Sequence, residues 1–220
     1  MPRAGFSVFH SSPFRLAPLD QYGFTAAAPF KGGVVGTGFV TLGQARYRET
    51  VVTAGMGRPL GPHLETGILL SFLELYIAGY HTDRTVAVAA SVTYALAKGI
   101  RWSLLYRNLN APRVGRSREL LPQIISTGIT VLPAETVTSV LELEKDLDYE
   151  NRYKFGLTWE PLSSLTVASG FATSPAQFTA GIAVRFLRLS SPYEAHVSYG
   201  IATHPELPVS QVVSLQLALR

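Results

Sequence analysis

The chain has no cysteine, so disulfides, thiol catalysis and cysteine-ligated metal sites are excluded. Charge is scarce as well: 15% of the 220 residues are Asp, Glu, Lys or Arg, against 47% hydrophobic, which is greasy for a soluble domain of one-domain length. Long apolar runs are also missing. The longest, "TGILLSFLELYIAG", is broken by Ser71 and Glu74. None approaches the roughly 20 residues that a membrane-spanning helix needs. The amino terminus, "MPRAGFSVFHSSPF", lacks the long apolar core of an export signal. The net charge of +4 is modest, and its densest basic cluster, "PRVGRSRE" (112–119), carries no interleaved aromatics, so a nucleic-acid partner is not expected.

What is present is a period of two. In "NRYKFGLTWE", Tyr153, Phe155, Leu157 and Trp159 take one face, and Arg152, Lys154, Thr158 and Glu160 take the other. "SSLTVASGF", "QFTAGIAVRF", "YEAHVSYGI", "RTVAVAASVTYAL" and "IRWSLLYRN" repeat the alternation. No 3.6-residue apolar pattern persists. Fourteen strands are expected, near residues 3–10, 21–29, 33–41, 46–56, 63–77, 84–97, 99–109, 121–131, 135–145, 151–160, 164–173, 176–187, 192–203 and 209–219.

The connections between them alternate in character. "KGG", "KG", "PA" (133–134) and "PLSS" (161–164) are tight, whereas "SSPFRLAPLD", "NAPRVGRSREL", "KDLDYEN" and "THPELPVS" are longer and polar. An all-β, transmembrane, antiparallel up-and-down barrel of about 14 strands has that asymmetry: short periplasmic turns and longer extracellular loops. Residues 1–220 then form one barrel domain, with both termini at the short-turn end.

Closure also settles which face is wet. Fourteen strands in open sheets would leave long exposed edges. A closed barrel of that size is too wide for side chains to fill, so its inner face is hydrated or plugged. Arg101, Arg107, Glu142, Glu144, Arg152, Lys154, Glu160, Arg185, Glu194 and His196 are expected to line the lumen, with opposite charges pairing across strands. Trp102, Trp159, Phe186 and Tyr193 fall near the tight-turn ends, and Tyr106, Tyr153, Phe171, Phe178 and Tyr199 towards the other, as two aromatic girdles at the lipid–water interfaces would. The bacterial outer membrane is the expected location, with its lipid as the first partner.

The ordered phrases "IAGY" (77–80), "LLYRNLNAPRVGRSRELLPQ" (104–123), "LELEKDL" (141–147), "YKFGLTWEPLSSLTVASGFATSPAQFTAGIAVRF" (153–186) and "VSYGIATHPELPVSQVVSLQL" (197–217) resemble the PorV/PorQ-type branch of the FadL/OmpP1-like outer-membrane barrels of Bacteroidetes and relatives. The resemblance covers roughly residues 60 to 220. It implies a fourteen-stranded barrel and roles in type IX secretion or in uptake of hydrophobic molecules. Two features depart from the pattern. No "NPAG"-like hatch segment precedes "SSPF", so a plug is expected to be absent or short, and the chain ends in Arg220 rather than an aromatic residue.

No enzyme constellation and no cofactor site emerge. "GGVVGTG" (32–38) lacks the lysine of a phosphate-binding loop, the histidines show no metal-ligand spacing, and no "GxSxG" elbow occurs. His196 and Ser198 both point inward, which disfavours catalysis at a lipid-facing wall. Glu142 and Glu144 share a face and read as lumen residues paired with Arg107 or Arg152; the alternative is a paired carboxylate or a cation site. The loop from Asn110 to Leu120, with Arg113, Arg116 and Arg118, is the candidate recognition element for a partner protein or for lipopolysaccharide phosphates. The leading expectation is a non-enzymatic structural or accessory subunit of an envelope assembly, with other envelope or secretion proteins as partners. A FadL-like channel for hydrophobic or small solutes is the alternative, and a soluble β-rich binding protein is third.

Overall fold

In the computed structural model, the described residues are 4–80, 82–115, 118–147, 149–187 and 193–219. The strands are β1 (Gly5–Ser12), β2 (Gln21–Phe30), β3 (Gly33–Gln44), β4 (Tyr47–Pro59) and β5 (Leu64–Ile77). They continue with β6 (Asp83–Ala97), β7 (Ile100–Arg107), β8 (Arg113–Val114), β9 (Glu119–Leu120), β10 (Ile124–Ala134) and β11 (Val137–Asp146). The last five are β12 (Asn151–Leu162), β13 (Leu165–Ala172), β14 (Gln177–Leu187), β15 (Tyr193–Ala202) and β16 (Ser210–Leu219). Apart from the two-residue strands β8 and β9, which pair only with each other, all belong to one closed antiparallel barrel of fourteen strands. Closure comes from β1 on β16, from Gly5 opposite Ala218 to Ser12 opposite Gln211.

The alternation survives in three dimensions. Along β12 the odd positions from 151 to 159 are exposed while the even ones from 152 to 158 are partly covered. Tyr153, Phe155, Leu157 and Trp159 therefore lie on the outside. A hydrophobic core is missing: among the described residues, Ala87, Ala89 and Ala172 are the only buried hydrophobic side chains. Large apolar groups such as Phe178, Leu141 and Phe186 are instead exposed. An exterior of that kind is stable against acyl chains and not against water. Closure gives every barrel strand a partner strand on both sides, which the hydrocarbon layer demands.

Every expected strand is present, with shifted ends. The turn anticipated at Pro133–Ala134 is part of β10; the register slips between Val131 and Ala134, and the true turn is Glu135–Thr136. Pro161 likewise lies in β12, where the register slips between Trp159 and Leu162. Proline cannot donate to a ladder, so these bulges accommodate it within a strand that continues beyond it. At the same end, Gly32 and Gly99 close two-residue turns with φ of 100° and 76°, backbone that favours glycine.

The loop end is longer on average, although β3 and β4 are joined by Ala45–Arg46 alone. There β7 stops at Arg107 while its neighbour β6 reaches back to Asp83. The loop 108–123 covers the exposed flank of β6. Leu109 N–H donates to the Val88 carbonyl at 2.9 Å. The Asn110 amide then imitates a strand residue, accepting from Val88 N–H at 2.9 Å and donating to the Val86 carbonyl at 2.8 Å. Asp83 accepts from Gly115 N–H further along.

The described N-terminal residues run in the wall between β16 and β2. They contribute no plug. Phe9 faces inward above Gly23, where an added Cβ would lie 2.5 Å from the ring. The aromatic covers backbone that glycine leaves bare.

Candidate functional site: the charged lumen

Cross-strand register fixes which residues share the bore. Arg107, Glu144 and Arg152 lie near the loop end, with Glu142 opposite Lys154 one layer below. Arg107 Nη2 sits 2.9 Å from Glu144 Oε2. Lys154 Nζ bridges both acids, at 2.7 Å to Glu144 and 2.9 Å to Glu142. Arg152 Nη2 donates to Gln177 Oε1 at 2.9 Å, across β13. Its Nε is covered and has no hydrogen-bond acceptor. The five ionic groups sum to +1, from three cations and two carboxylates.

The cluster continues as hydroxyls. Ser91, Thr93, Ser103, Ser126 and Thr130 share a recess of about 490 Å³ with Arg107, Glu142, Glu144 and Lys154. Thr93 and Ser103 are hydrogen-bonded at 3.0 Å. Beyond Arg152 the wall drops away, because Gly156 and Gly170 face each other there and a Cβ on Gly156 would meet nothing within 4 Å. The opposite wall differs in character. Val34, Gly36, Gly55, Gly67, Leu69 and Ala89 border a mainly apolar recess of about 560 Å³, which adjoins the first at Ser91, Leu105 and Arg107. The bore thus has one charged, hydroxylated side and one side whose middle is mainly glycine and apolar.

A second ionic group lies towards the short-turn end. Glu194 Oε1 is 2.9 Å from Arg185 Nε and 3.2 Å from His196 Nε2. Arg185 Nε–H is not aligned on an acceptor, so that contact is an ion pair rather than a hydrogen bond. Arg101 lies in the lower rim as the second residue of β7, and Glu160 sits in the β12 bulge. Both are exposed.

The ten charged positions expected in the lumen thus divide into an upper ladder of five, a lower triad of three, and two rim residues. The carboxylate pair is resolved as well. Glu142 and Glu144 are held by Lys154 and Arg107, and no group of three His, Asp or Glu side chains among the described residues is placed to hold a cation. Gln177, Glu49 and Glu65 are additional inward polar residues; Glu49 accepts the Tyr47 hydroxyl. Alternation along "QFTAGIAVRF" would have supplied Gln177, which opposes Phe178.

All eight expected interface aromatics sit on the outer face. Tyr153, Trp159, Phe178, Phe186, Tyr193 and Tyr199 are exposed. Trp102 is half-buried, and its Nε1–H donates to Thr127 Oγ1 at 2.9 Å. Tyr106 is also half-buried and accepts from Gln123 Nε2 at 3.1 Å. Phe171 and Phe178 pack with centroids 4.9 Å apart near the loop end. Of the loop arginines, Arg113 donates to the Arg118 carbonyl at 3.2 Å, which closes the β8–β9 hairpin on itself. Arg116 lies outside the described residues.

With this geometry in hand, resemblance to solved structures is informative. Superposition on CymD, a monoaromatic hydrocarbon channel, covers 99% of this chain and 87% of that one, with TM-score 0.65 and 10% identity. The Pseudomonas putida toluene transporter TodX gives TM-score 0.65 and 9% identity over 99% and 88% of the two chains. A Pseudomonas aeruginosa FadL homologue gives 0.62 and 8% over 98% and 88%. The fold is that of an outer-membrane barrel. No family model and no curated protein matches the sequence. The lipid-facing exterior, the closed fourteen-stranded wall and this likeness place the chain in the bacterial outer membrane.

Proposed function

We propose that the protein is a non-enzymatic channel of the outer membrane that passes small solutes through a two-sided bore. The observation that carries this reading is the inner face itself, where hydroxyls and paired charges on β6, β7 and β10–β14 confront glycine and apolar side chains on β3–β6. A solute with an apolar body and a polar edge meets complementary surface on both sides. Hydrophobic solutes and small polar ones both fit that description, and the channel and transporter among the structural neighbours support the class. The outward Trp102, Tyr106, Tyr153, Trp159, Phe178, Phe186, Tyr193 and Tyr199 anchor the barrel at the two interfaces; the Tyr106 hydroxyl meets Gln123 at the loop end, whereas Trp102 Nε1–H is satisfied within the wall by Thr127.

Reconstitution into liposomes, with uptake of a small aromatic solute compared against a sugar of similar mass, tests the reading. Solute-dependent flux above that of protein-free vesicles is expected. A barrel that folds yet passes neither solute, and carries no current in a planar bilayer, eliminates it.

A second reading, an accessory subunit of a secretion or envelope complex in the manner of the PorV/PorQ branch, is motivated by the phrases between residues 77 and 217, which fall on the end of β5, on β7–β9 and on β11–β16. Stable co-purification with other envelope proteins from detergent extracts would support it.

A further inference from the structure

We propose that the extracellular rim of β4–β6 binds the phosphates of the outer-leaflet glycolipid through Arg46, Arg48 and Arg84. Arg48 follows the β3–β4 turn by one residue and shares the outward face of β4 with Val52 and Met56, both exposed. Its guanidinium carbon lies 5.6 Å from the Tyr76 ring centroid, a stacking contact that holds the charge against the wall. Arg84 faces outward on β6 and its side chain is 63% exposed. Nε binds Glu74 Oε2 at 2.9 Å, and among the described residues its terminal nitrogens have no partner. Arg46 is exposed in the turn, which is tied to the β5–β6 loop because its carbonyl accepts Ala78 N–H at 2.8 Å.

Three cations and the single Glu74 carboxylate leave this outer corner at +2. Immediately below it, Met56, Ile68, Leu70, Phe72 and Val86 form an exposed apolar field on the same face. Cations at headgroup level above a surface suited to acyl chains match an amphiphile carrying phosphates over several chains. Arg48 and Arg84 flank β5 opposite Tyr76 and Glu74, so their backbones stand two strand spacings across and two residues along, roughly 12 Å apart. That span suits a bisphosphorylated headgroup better than a single phosphodiester, and arginine forks bind phosphate oxygens two at a time. The loop arginines are less suitable, since Arg113 is engaged by the Arg118 carbonyl. The inference rests on the barrel's orientation and not on channel activity, so a barrel that conducts nothing would leave it intact.

The test is binding of purified, folded barrel to bisphosphorylated lipid A in detergent micelles by native mass spectrometry. Dephosphorylated lipid A and phosphatidylglycerol serve as competitors, and folding is verified by heat-modifiable gel migration. Arg48→Gln and Arg84→Gln should each weaken lipid A binding about fivefold, and the double variant about twentyfold or more. Arg48→Lys with Arg84→Lys should fall between, and Arg58→Gln at the opposite end should bind as wild type. Equal binding of dephosphorylated lipid A, equal competition by phosphatidylglycerol, an unaffected double glutamine variant, or an equal loss in Arg58→Gln would each overturn the site.

Discussion

Replacing Lys154 by Met probes the bore at its most connected charge. Its ammonium contacts both Glu142 and Glu144, within an upper ladder that sums to +1. The variant takes that sum to zero while keeping a side chain of similar length. A permeating ion passing about 5 Å from the lost charge, in a water-filled bore, interacts with it by about 0.8 kcal/mol. Screening at 0.1 M salt, with a Debye length of about 10 Å, reduces this to about 0.5 kcal/mol. Because the charge acts with opposite sign on cation and anion, the ratio of their permeabilities should rise about fivefold. Glu142→Gln with Glu144→Gln carries the ladder from +1 to +3, and selectivity should move the opposite way. Reversal potentials across a planar bilayer under a KCl gradient measure both. The effect must shrink in 1 M KCl, where the Debye length is about 3 Å. Equal reversal potentials for the two variants, or a shift of undiminished size in 1 M KCl, would refute the placement of this ladder along the solute path.

Other consequences of the fold are equally accessible. Leu157→Arg, on the outer face of β12, should cost about 2–4 kcal/mol in urea-monitored refolding into lipid vesicles, whereas Thr158→Arg, its inward neighbour, should cost much less. Gly23→Ala would set a Cβ 2.5 Å from the Phe9 ring and 2.6 Å from the Phe39 carbonyl, and should lower stability by about 1–3 kcal/mol in the same assay. Asn110→Ala removes the amide that pairs with Val86 and Val88; the loss of about 0.5–1.5 kcal/mol per bond should appear as faster amide exchange at Val88 and quicker proteolytic nicking between residues 108 and 123.

Much of this architecture was legible because a barrel wall has a period of two and each strand repeats it independently. Glu142, Lys154 and Trp159 could be assigned a side from their immediate neighbours alone. Strand ends were harder, because they depend on bulges, and a bulge depends on pairing rather than on composition. Pro133 and Pro161 look like turn residues in isolation, yet a register slip lets each remain in its strand. Pairing across the bore was only partly legible. Alternation put Arg107, Glu144 and Lys154 on one face, but the choice of Lys154 as the bridge follows from the register of β11 on β12, which sets it opposite Glu142 and next to Glu144. Arg152 illustrates the limit. It stands opposite Glu144 in the register, as expected, yet the stagger from β12 to β14 sends its hydrogen bond to Gln177.

That stagger also bears on why the bore is uneven. Where glycines oppose one another, as at Gly36 with Gly55, Gly57 with Gly67, Gly156 with Gly170 and Gly181 with Gly200, the inner surface recedes to bare backbone. Two of these pairs lie in β3–β5, on the side away from the charged ladder. Shortening side chains on one wall while extending Arg107, Glu142, Glu144 and Lys154 from the other displaces the free path towards the glycines. A solute following that path passes bare apolar wall on one flank and reaches the ladder only with the edge it turns towards β11 and β12. Selectivity in such a bore depends on how a solute presents its polar edge, as well as on its net charge. Among uncharged solutes of equal volume, those with a hydroxyl or amide at one end should therefore outpace those whose polar groups are evenly distributed, and a uniform rate across such a series would show that the two walls act as one.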